Sequence, residues 1–366
     1  MEDLFSIPAQ FDLRGGELDN LSRIGIGHIN DTYLGSVRER GGQITRYVFQ
    51  RINRSVFPDI VSLMENIRRV TEHLEPAYVS TGRQALRLIP TLDGADYHRD
   101  PAGDFWRAFP LIENSVTHSV LSSPAQAQQT GFAFGEFSQI LSTLPEPPLH
   151  EVIADFHNTA KRYKAFLAAV DADLANRVDT ARAEIDAALD GAAWATIITD
   201  AQLAGDVPSR VAHNDSKIEN VLFDAETGEP VCVVDLDTTM PGSILHDFGD
   251  LVRTAAAIAP EDETDSGRIG VSLTVFQSLS EGFLSACGEI LTPVELALLA
   301  SAGKVIVYEQ ALRFLTDHLL GDTYYRIKHE GHNLERARNQ LKVAQILDSM
   351  QSSLETSIST IYSARF

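Results

Sequence analysis

Residues 211–250, VAHNDSKIENVLFDAETGEPVCVVDLDTTMPGSILHDFGD, constrain this chain more than any other stretch. Two short apolar runs, VLF and VCVVDL, flank ETGEP, in which Gly228 and Pro230 supply a turn. The segment therefore reads as a β-hairpin. His213, Asp215 and Asn220 precede the first strand, and Asp235 closes the second. Polar residues placed where apolar strands end face a ligand more often than a core.

The spacing His213-x-Asp215-x-x-x-x-Asn220, followed by an aspartate at the end of the next strand, has a chemical meaning. Phosphoryl transfer from Mg-ATP requires a carboxylate that accepts the proton of the attacking hydroxyl. It also requires an amide oxygen and a second carboxylate to hold magnesium on the phosphates. Magnesium takes hard oxygen ligands, which Asn220 and Asp235 can supply, and Asp215 is placed to be the base. The plainer account is a capped turn, since Asn214, Asp215 and Ser216 are all turn formers. The ordered combination around a hairpin favours the chemical account.

At these residues the chain resembles the aminoglycoside phosphotransferase-like kinases. HNDSKIEN resembles their catalytic loop, and VVDLDT their metal-binding segment with Asp235 as the ligand. Within that group, GHINDTYL, QRIN, LMENI, DFHNTAKRY, CVVDLDTTMPG and RFLTD resemble the kinases that act on N-acetylhexosamines. These phrases span residues from about 25 to 325. The resemblance implies an α+β, protein-kinase-like fold of two lobes. The first would be a small, mainly antiparallel β lobe that binds nucleotide, residues 1–112. The second would be a larger helical lobe for catalysis and substrate, residues 113–366.

Composition agrees with a folded enzyme. A chain of 366 residues, 44% hydrophobic, is ample for two lobes and a core. The start, MEDLFSIPAQ, lacks a basic segment followed by an apolar one, so no signal peptide is expected. No apolar run approaches the roughly 18–20 residues of a membrane span. Two cysteines, Cys232 and Cys287, suit buried thiols in a reducing cytoplasm. The net charge of −21 argues against a nucleic-acid partner, says nothing for or against a sugar, and would favour a cationic substrate.

From Leu21 the runs LSRIGIGHIN, DTYLGSV and QITRYVFQRIN read as three strands. Gly25-Ile26-Gly27-His28 lies between the first two, where a kinase places its phosphate-covering loop. Glycine there permits close approach of backbone N–H groups to phosphate. Asn30 stands where a third glycine would be, and an ordinary hairpin is the competing account. His28 is a candidate substrate contact. The third strand ends Phe49-Gln50-Arg51 with no lysine, so Arg51 is the candidate cation for the phosphates. Strand alternation puts Gln50 on one face and Arg51 on the other, and leaves open which of them roofs the nucleotide. Glu65, on the helix PDIVSLMENIRRVTEHL, is the candidate partner carboxylate, with pairing to Arg68 or Arg69 as the alternative. Residues 85–95 and 105–112 read as two further strands leading to a hinge at Glu113-Asn114-Ser115.

After Ser123-Pro124 the pattern becomes helical. His157 reads as a packed or capping histidine. Asp247-Phe248-Gly249 spells a kinase metal motif but falls at a helix start, so Asp235 is assigned to the metal. The resemblance makes Asp247 a brace for the catalytic loop. Near the end, LTPVELALLASAGKVIVYEQALRFLTDHLLGD is one helix with Thr292 as cap and Pro293 as first residue. Glu309, Arg313 and Asp317 share a face at i, i+4 spacing, which reads plainly as a surface salt-bridge ladder. The resemblance instead makes Arg313 and Tyr324 sugar-binding residues.

The resulting expectation is a cytoplasmic enzyme with Mg2+ as cofactor and ATP as co-substrate. Its acceptor would be N-acetylglucosamine or N-acetylgalactosamine, phosphorylated at the anomeric hydroxyl, with no nucleic-acid or membrane partner. The alternatives are a kinase for another hydroxyl compound, such as an aminoglycoside, and a non-catalytic nucleotide-binding member.

Overall fold

The computed structural model describes residues 4–25, 29–121 and 123–366. The fold is protein-kinase-like: a five-stranded antiparallel sheet is followed by a largely helical part. Residues group into two compact units that are not contiguous in sequence. The first comprises Met1–Val116, Thr143–Ala154 and Leu222–Met240. The second comprises Thr117–Ser142, Asp155–Val221 and Pro241–Phe366.

In the first unit, β1 (Glu17–Arg23), β2 (Asp31–Arg38) and β3 (Ile44–Ile52) form a meander. After α1 (Ile60–Ser80), β4 (His98–Arg99) and β5 (Phe105–Pro110) complete the sheet in the order β1-β2-β3-β5-β4. One face buries Val37, Tyr47, Phe49, Trp106 and Ala108 against Ile7, Phe11 and Ile89. Each large side chain covered in this way contributes about 1.5–3 kcal/mol. Gly35 is required here, because a Cβ would lie 2.6 Å from the Phe49 ring.

The other face follows from the register. Gln50 pairs across with Thr32 and Arg107, whereas Arg51 pairs with Asp31 and Trp106. Residues 85–95, expected as a strand, form no strand: they make an isolated bridge, Phe11 to Thr91, and scattered backbone bonds such as Ile89 N to Ala108 O at 2.9 Å, Asp12 N to Pro90 O at 2.8 Å and Leu92 N to Gln10 O at 2.9 Å. Pro90 has no N–H to extend a ladder there. Helix α1 is capped by Asp59, which accepts from Ser62 N, and it buries Leu63, Ile67, Val70 and Leu74. It continues through Pro76 to Ser80, past its expected end at residue 74.

A short strand β6 (Ser115–Val116) closes this part of the first unit. The second unit then begins with α2 (Pro124–Leu141), α3 (Thr159–Ala172), α4 (Arg182–Asp190), α5 (Ile197–Leu203) and β7 (Arg210–Ala212). The chain returns to the first unit for the hairpin β8 (Val221–Asp224) and β9 (Pro230–Val233), where β8 pairs with β6. Its turn matches expectation: Asp224 O accepts from Gly228 N, and Gly228 has φ +72°.

The rest of the second unit is β10 (Met240–Gly242), α6 (Ile244–Leu251), a π-helical turn at Val252–Ala256, and four further helices. These are α7 (Leu273–Cys287), α8 (Pro293–Leu319), α9 (His332–Ser349) and α10 (Gln351–Arg365). Helix α2 tolerates its glycines because it lies hard against α7. A Cβ on Gly131 would meet Leu279 O at 2.2 Å, and one on Gly282 would meet Gln128 O at 1.8 Å.

Helix α8 opens on the expected cap, a reciprocal pair between Thr292 and Glu295 with Pro293 at the first position. The expected surface ladder on α8 is not what forms. Glu309 and Asp317 are 2% and 4% exposed, and each bonds to groups outside the helix. Burial of both carboxylates removes them from the solvated face that such a ladder needs. Among the described residues, no helix is long and apolar enough to cross a membrane.

Candidate active site

The loop from β7 to β8 is built by hydrogen bonds to one buried carboxylate. Asp247 Oδ2 accepts from His213 N at 2.8 Å. Its Oδ1 accepts from Asn214 N at 2.7 Å and from Ser216 Oγ at 2.6 Å. Burial pushes the Asp247 carboxyl up, and His213 and the three donors oppose that rise. Asn214 sits at φ +63°, a left-handed conformation that asparagine tolerates. Gly242 packs so close to it that a Cβ would lie 2.5 Å from Asn214 Oδ1. His213 is fully buried, its ring edge-on to Phe134 and Phe137. The DFG sequence is thus an internal brace: Asp247 holds the loop, and Phe248 packs on Phe276 and Phe283.

This bracing leaves Asp215 part-exposed at the loop's turn, with Glu219 exposed beside Asn220. Asp215 Oδ2 accepts from Lys217 Nζ at 2.8 Å and from Asn220 Nδ2 at 3.2 Å. Asn220 Nδ2 also donates to Asp215 O at 2.7 Å. Burial works against ionisation of Asp215, but Lys217, then His213 and Arg253, outweigh it and hold the carboxyl below its usual range. The amide nitrogen of Asn220 is therefore committed, and its oxygen is the atom that it can offer to a metal.

A second group of residues in the same unit lies between α3, α6 and α8. His157, just before α3, bonds through Nδ1 to Glu309 Oε1 at 2.8 Å and through Nε2 to Asn214 O at 2.9 Å. Thr159 Oγ1 donates to Glu309 Oε2 at 2.6 Å. One turn along α8, the Arg313 guanidinium lies 6.0 Å from the Phe156 ring, 5.9 Å from Tyr324 and 5.5 Å from Tyr325. Arg313 and Tyr324, both expected to touch substrate, are thus brought together. Asp317 fixes the segment carrying Tyr324 by accepting from the backbone of Thr323, Tyr324 and Tyr325 at 2.8–2.9 Å.

In the first unit, Asp235, two residues beyond β9, adopts a left-handed conformation, φ +62° and ψ +56°. For a non-glycine residue such a conformation costs of the order of 1–3 kcal/mol and clusters at functional sites. Two residues on, buried Asp237 accepts from Asn30 Nδ2 at 2.6 Å and forms an ion pair with buried Arg107. Arg107 Nε donates to Gln50 Oε1 at 2.9 Å, so the Gln50 face of the sheet meets the segment carrying Asp235.

The other candidates of this unit are engaged separately. Arg51 is paired with Asp31 and with Asp104 at 3.2 Å. It lines a cavity of about 470 Å³ together with Asp31, Asn53, Arg54, Ser55 and Asp104. Glu65 is not its partner but bonds to His150 Nε2 at 3.0 Å. Gly25 has φ +70°, as a turn glycine should. Gly27 and His28 lie outside the described residues.

Sequence reasoning did not single out Lys217, Arg107, Asp237 or Arg253. Lys217 carried a signal, standing two residues after Asp215 and so able to fold back on it. Asp237 repeats the polar alternation begun by Asp235. Arg253 sits in the π-helical turn beside Asp250, its Nε 2.7 Å from Oδ1, and such turns often mark functional sites. Arg107 carried no local signal, because its partner is 130 residues away in sequence.

Residues 20–271 match the family model for APH, described as the phosphotransferase enzyme family. Three solved structures share the fold over nearly the whole chain. An aminoglycoside phosphotransferase from Alicyclobacillus acidocaldarius subsp. acidocaldarius DSM 446 is 15% identical at a TM-score of 0.54, covering 97% of this chain and 96% of its own. A microcompartment-associated aminopropanol kinase is 16% identical at 0.56, covering 95% and 96%. A spectinomycin phosphotransferase, solved with ADP and spectinomycin, is 12% identical at 0.55, covering 91% and 94%.

Proposed function

The chain belongs to the phosphotransferase enzyme family, and from that premise we propose that it uses Mg2+ and ATP to phosphorylate the anomeric hydroxyl of an N-acetylhexosamine. The observation that carries the choice of acceptor is the position of Arg313. Rings of Phe156, Tyr324 and Tyr325 surround its guanidinium, so the place where an aromatic cage would hold a ligand's cation is filled by the protein's own. Such an environment favours a neutral, hydrogen-bonding acceptor over a polyamine. The net charge of −21 is the feature that favours an aminoglycoside instead.

Asp215 acts as the base. It is ionised, part-exposed and held by Lys217 and Asn220, so it can accept a proton from a hydroxyl placed before it. Asn220, through Oδ1, and Asp235, through its carboxylate, suit magnesium, which takes hard oxygen donors. Bound there, the ion would neutralise phosphate charge. These two residues stand at the ends of one hairpin, β8–β9. The buried pair of Arg107 and Asp237 anchors the segment that carries Asp235. Gly25 and Gly27 are assigned to the ATP phosphates in a nucleotide-binding part within residues 1–112, and Glu65 supports that part from α1. Arg51, the cation expected there, lies near the end of β3 on the face opposite Gln50 and is paired with Asp31 and Asp104, so it is not assigned to the phosphates. His28, Arg313 and Tyr324 are assigned to the sugar.

A coupled ADP-release assay over N-acetylhexosamines, hexoses and aminoglycosides tests this reading. Turnover is expected with N-acetylglucosamine or N-acetylgalactosamine, and the product should be acid-labile like a sugar 1-phosphate. Turnover confined to aminoglycosides would overturn the acceptor assignment.

A further inference from the structure

We propose that His157, as a doubly protonated imidazolium, is a positioning residue that ties helix α8 to the backbone immediately before Asp215. This rests on the reading of Asp215 as the base. His157 Nε2 faces Asn214 O at 2.9 Å, and a carbonyl oxygen can only accept. Nδ1 faces Glu309 Oε1 at 2.8 Å. The other Glu309 oxygen already accepts from Thr159 Oγ1 at 2.6 Å, so the group is placed as a carboxylate. Both ring nitrogens therefore need a proton, and a neutral ring would leave one of its two partners unbonded inside the protein.

The neighbours fit a retained charge. From α8, Glu309 is held near pKa 2: burial raises it, but His157 and Thr159 outweigh burial. From α6, His246 packs its ring 5.0 Å away, and burial followed by the charge of His157 drives it down to about 3. It stays neutral and does not compete for Glu309. Asp250, also on α6, adds a negative charge facing His157, and Arg313 stands one turn along α8. Burial opposes protonation of His157, and Glu309, Asn214 and Asp250 outweigh it, so the ring titrates above its ordinary value. A folded-state pKa raised in this way contributes stability that is complete below about pH 6.5 and is lost as pH rises through the folded value.

The functional consequence is a connection between two tasks. Arg313 and Glu309 are one turn apart on α8, and Glu309 reaches Asn214 through His157. Loss of the second ring proton would release Asn214 O, and kcat would fall with it while the KM for ATP stayed unchanged.

The test is titration of the His157 ring nitrogens by 15N NMR, alongside the pH profile of kcat, in wild type and in Glu309→Gln. In wild type both nitrogens are expected to be protonated at pH 7, and kcat should show an upper limb at the pH where His157 titrates. Glu309→Gln keeps the shape but removes the charge. It should move both the ring titration and the kcat limb down together, by about one to three pH units, with the KM for ATP unchanged. A neutral His157 at pH 7 overturns the proposal, and so does a kcat limb that stays put while the ring titration moves. The wild-type titration needs no variant, so it decides even if Glu309→Gln does not fold. It also needs no turnover, so failure of Asp215 as the base is read separately.

Discussion

The segment 213–220 and the segment 235–239 each carry a candidate acid of one hairpin, yet they are held in place by opposite means. The first is fixed by N–H and O–H donors converging on Asp247, with His157 gripping it from the other side. The second is fixed by a buried ion pair, Arg107 with Asp237, plus one amide donor from Asn30. Each segment is vulnerable in a different way. A carboxylate serving three neutral donors loses bonds one at a time, whereas a buried ion pair fails at once, because removing one partner strands the other charge.

That contrast can be broken most visibly at Arg107. Arg107→Met should lower unfolding stability by about 3–5 kcal/mol, read as a lower urea midpoint. The double variant with Asp237→Leu should recover much of the loss, since no charge is then left behind. If the single variant is as stable as wild type, the pair is not what holds the second segment.

Asp247→Asn probes the first segment and should cost less, about 1–3 kcal/mol. The amide oxygen still accepts, but its NH2 group confronts a backbone N–H. Stability should fall modestly, while kcat falls more steeply because the loop geometry itself is disturbed. An unchanged kcat at reduced stability would make Asp247 a fold residue only.

Arg313→Ala should leave both segments intact. The KM for the sugar should rise roughly 10–100-fold, as expected for losing a charged hydrogen bond of about 1.5–3 kcal/mol, while the KM for ATP holds. Equal KM values with a lower Tm would show that the guanidinium serves only the packing of Phe156, Tyr324 and Tyr325.

How much of this was legible in the sequence follows from the same contrast. The first segment was readable because eight contiguous residues set its spacing, and the hairpin after it has an unambiguous turn. Its brace, Asp247, was readable from resemblance. The second segment was half readable: Asp235 ends an apolar run, but the role of Asp237 depends on Arg107, which nothing near it announces. Alternation along β3 separated Gln50 from Arg51 without showing which face meets Asp237, because that depends on pairing with β5. The charges on α8 misled for a related reason. Spacing shows which residues share a face, and not that α3 and the loop at 322–325 cover Glu309 and Asp317.

Asp215 as the base of the transfer is open to one decisive substitution. Asp215→Asn keeps the shape of the side chain and removes its basicity. General-base assistance is worth typically ~10²–10⁴-fold, about 3–5 kcal/mol of barrier. With the best acceptor, kcat should fall by about that factor while the KM for ATP is nearly unchanged. Glu219→Gln, on an exposed neighbour, should cost less than about twofold, as surface changes usually do. A crippled Glu219→Gln beside a mild Asp215→Asn would contradict the account.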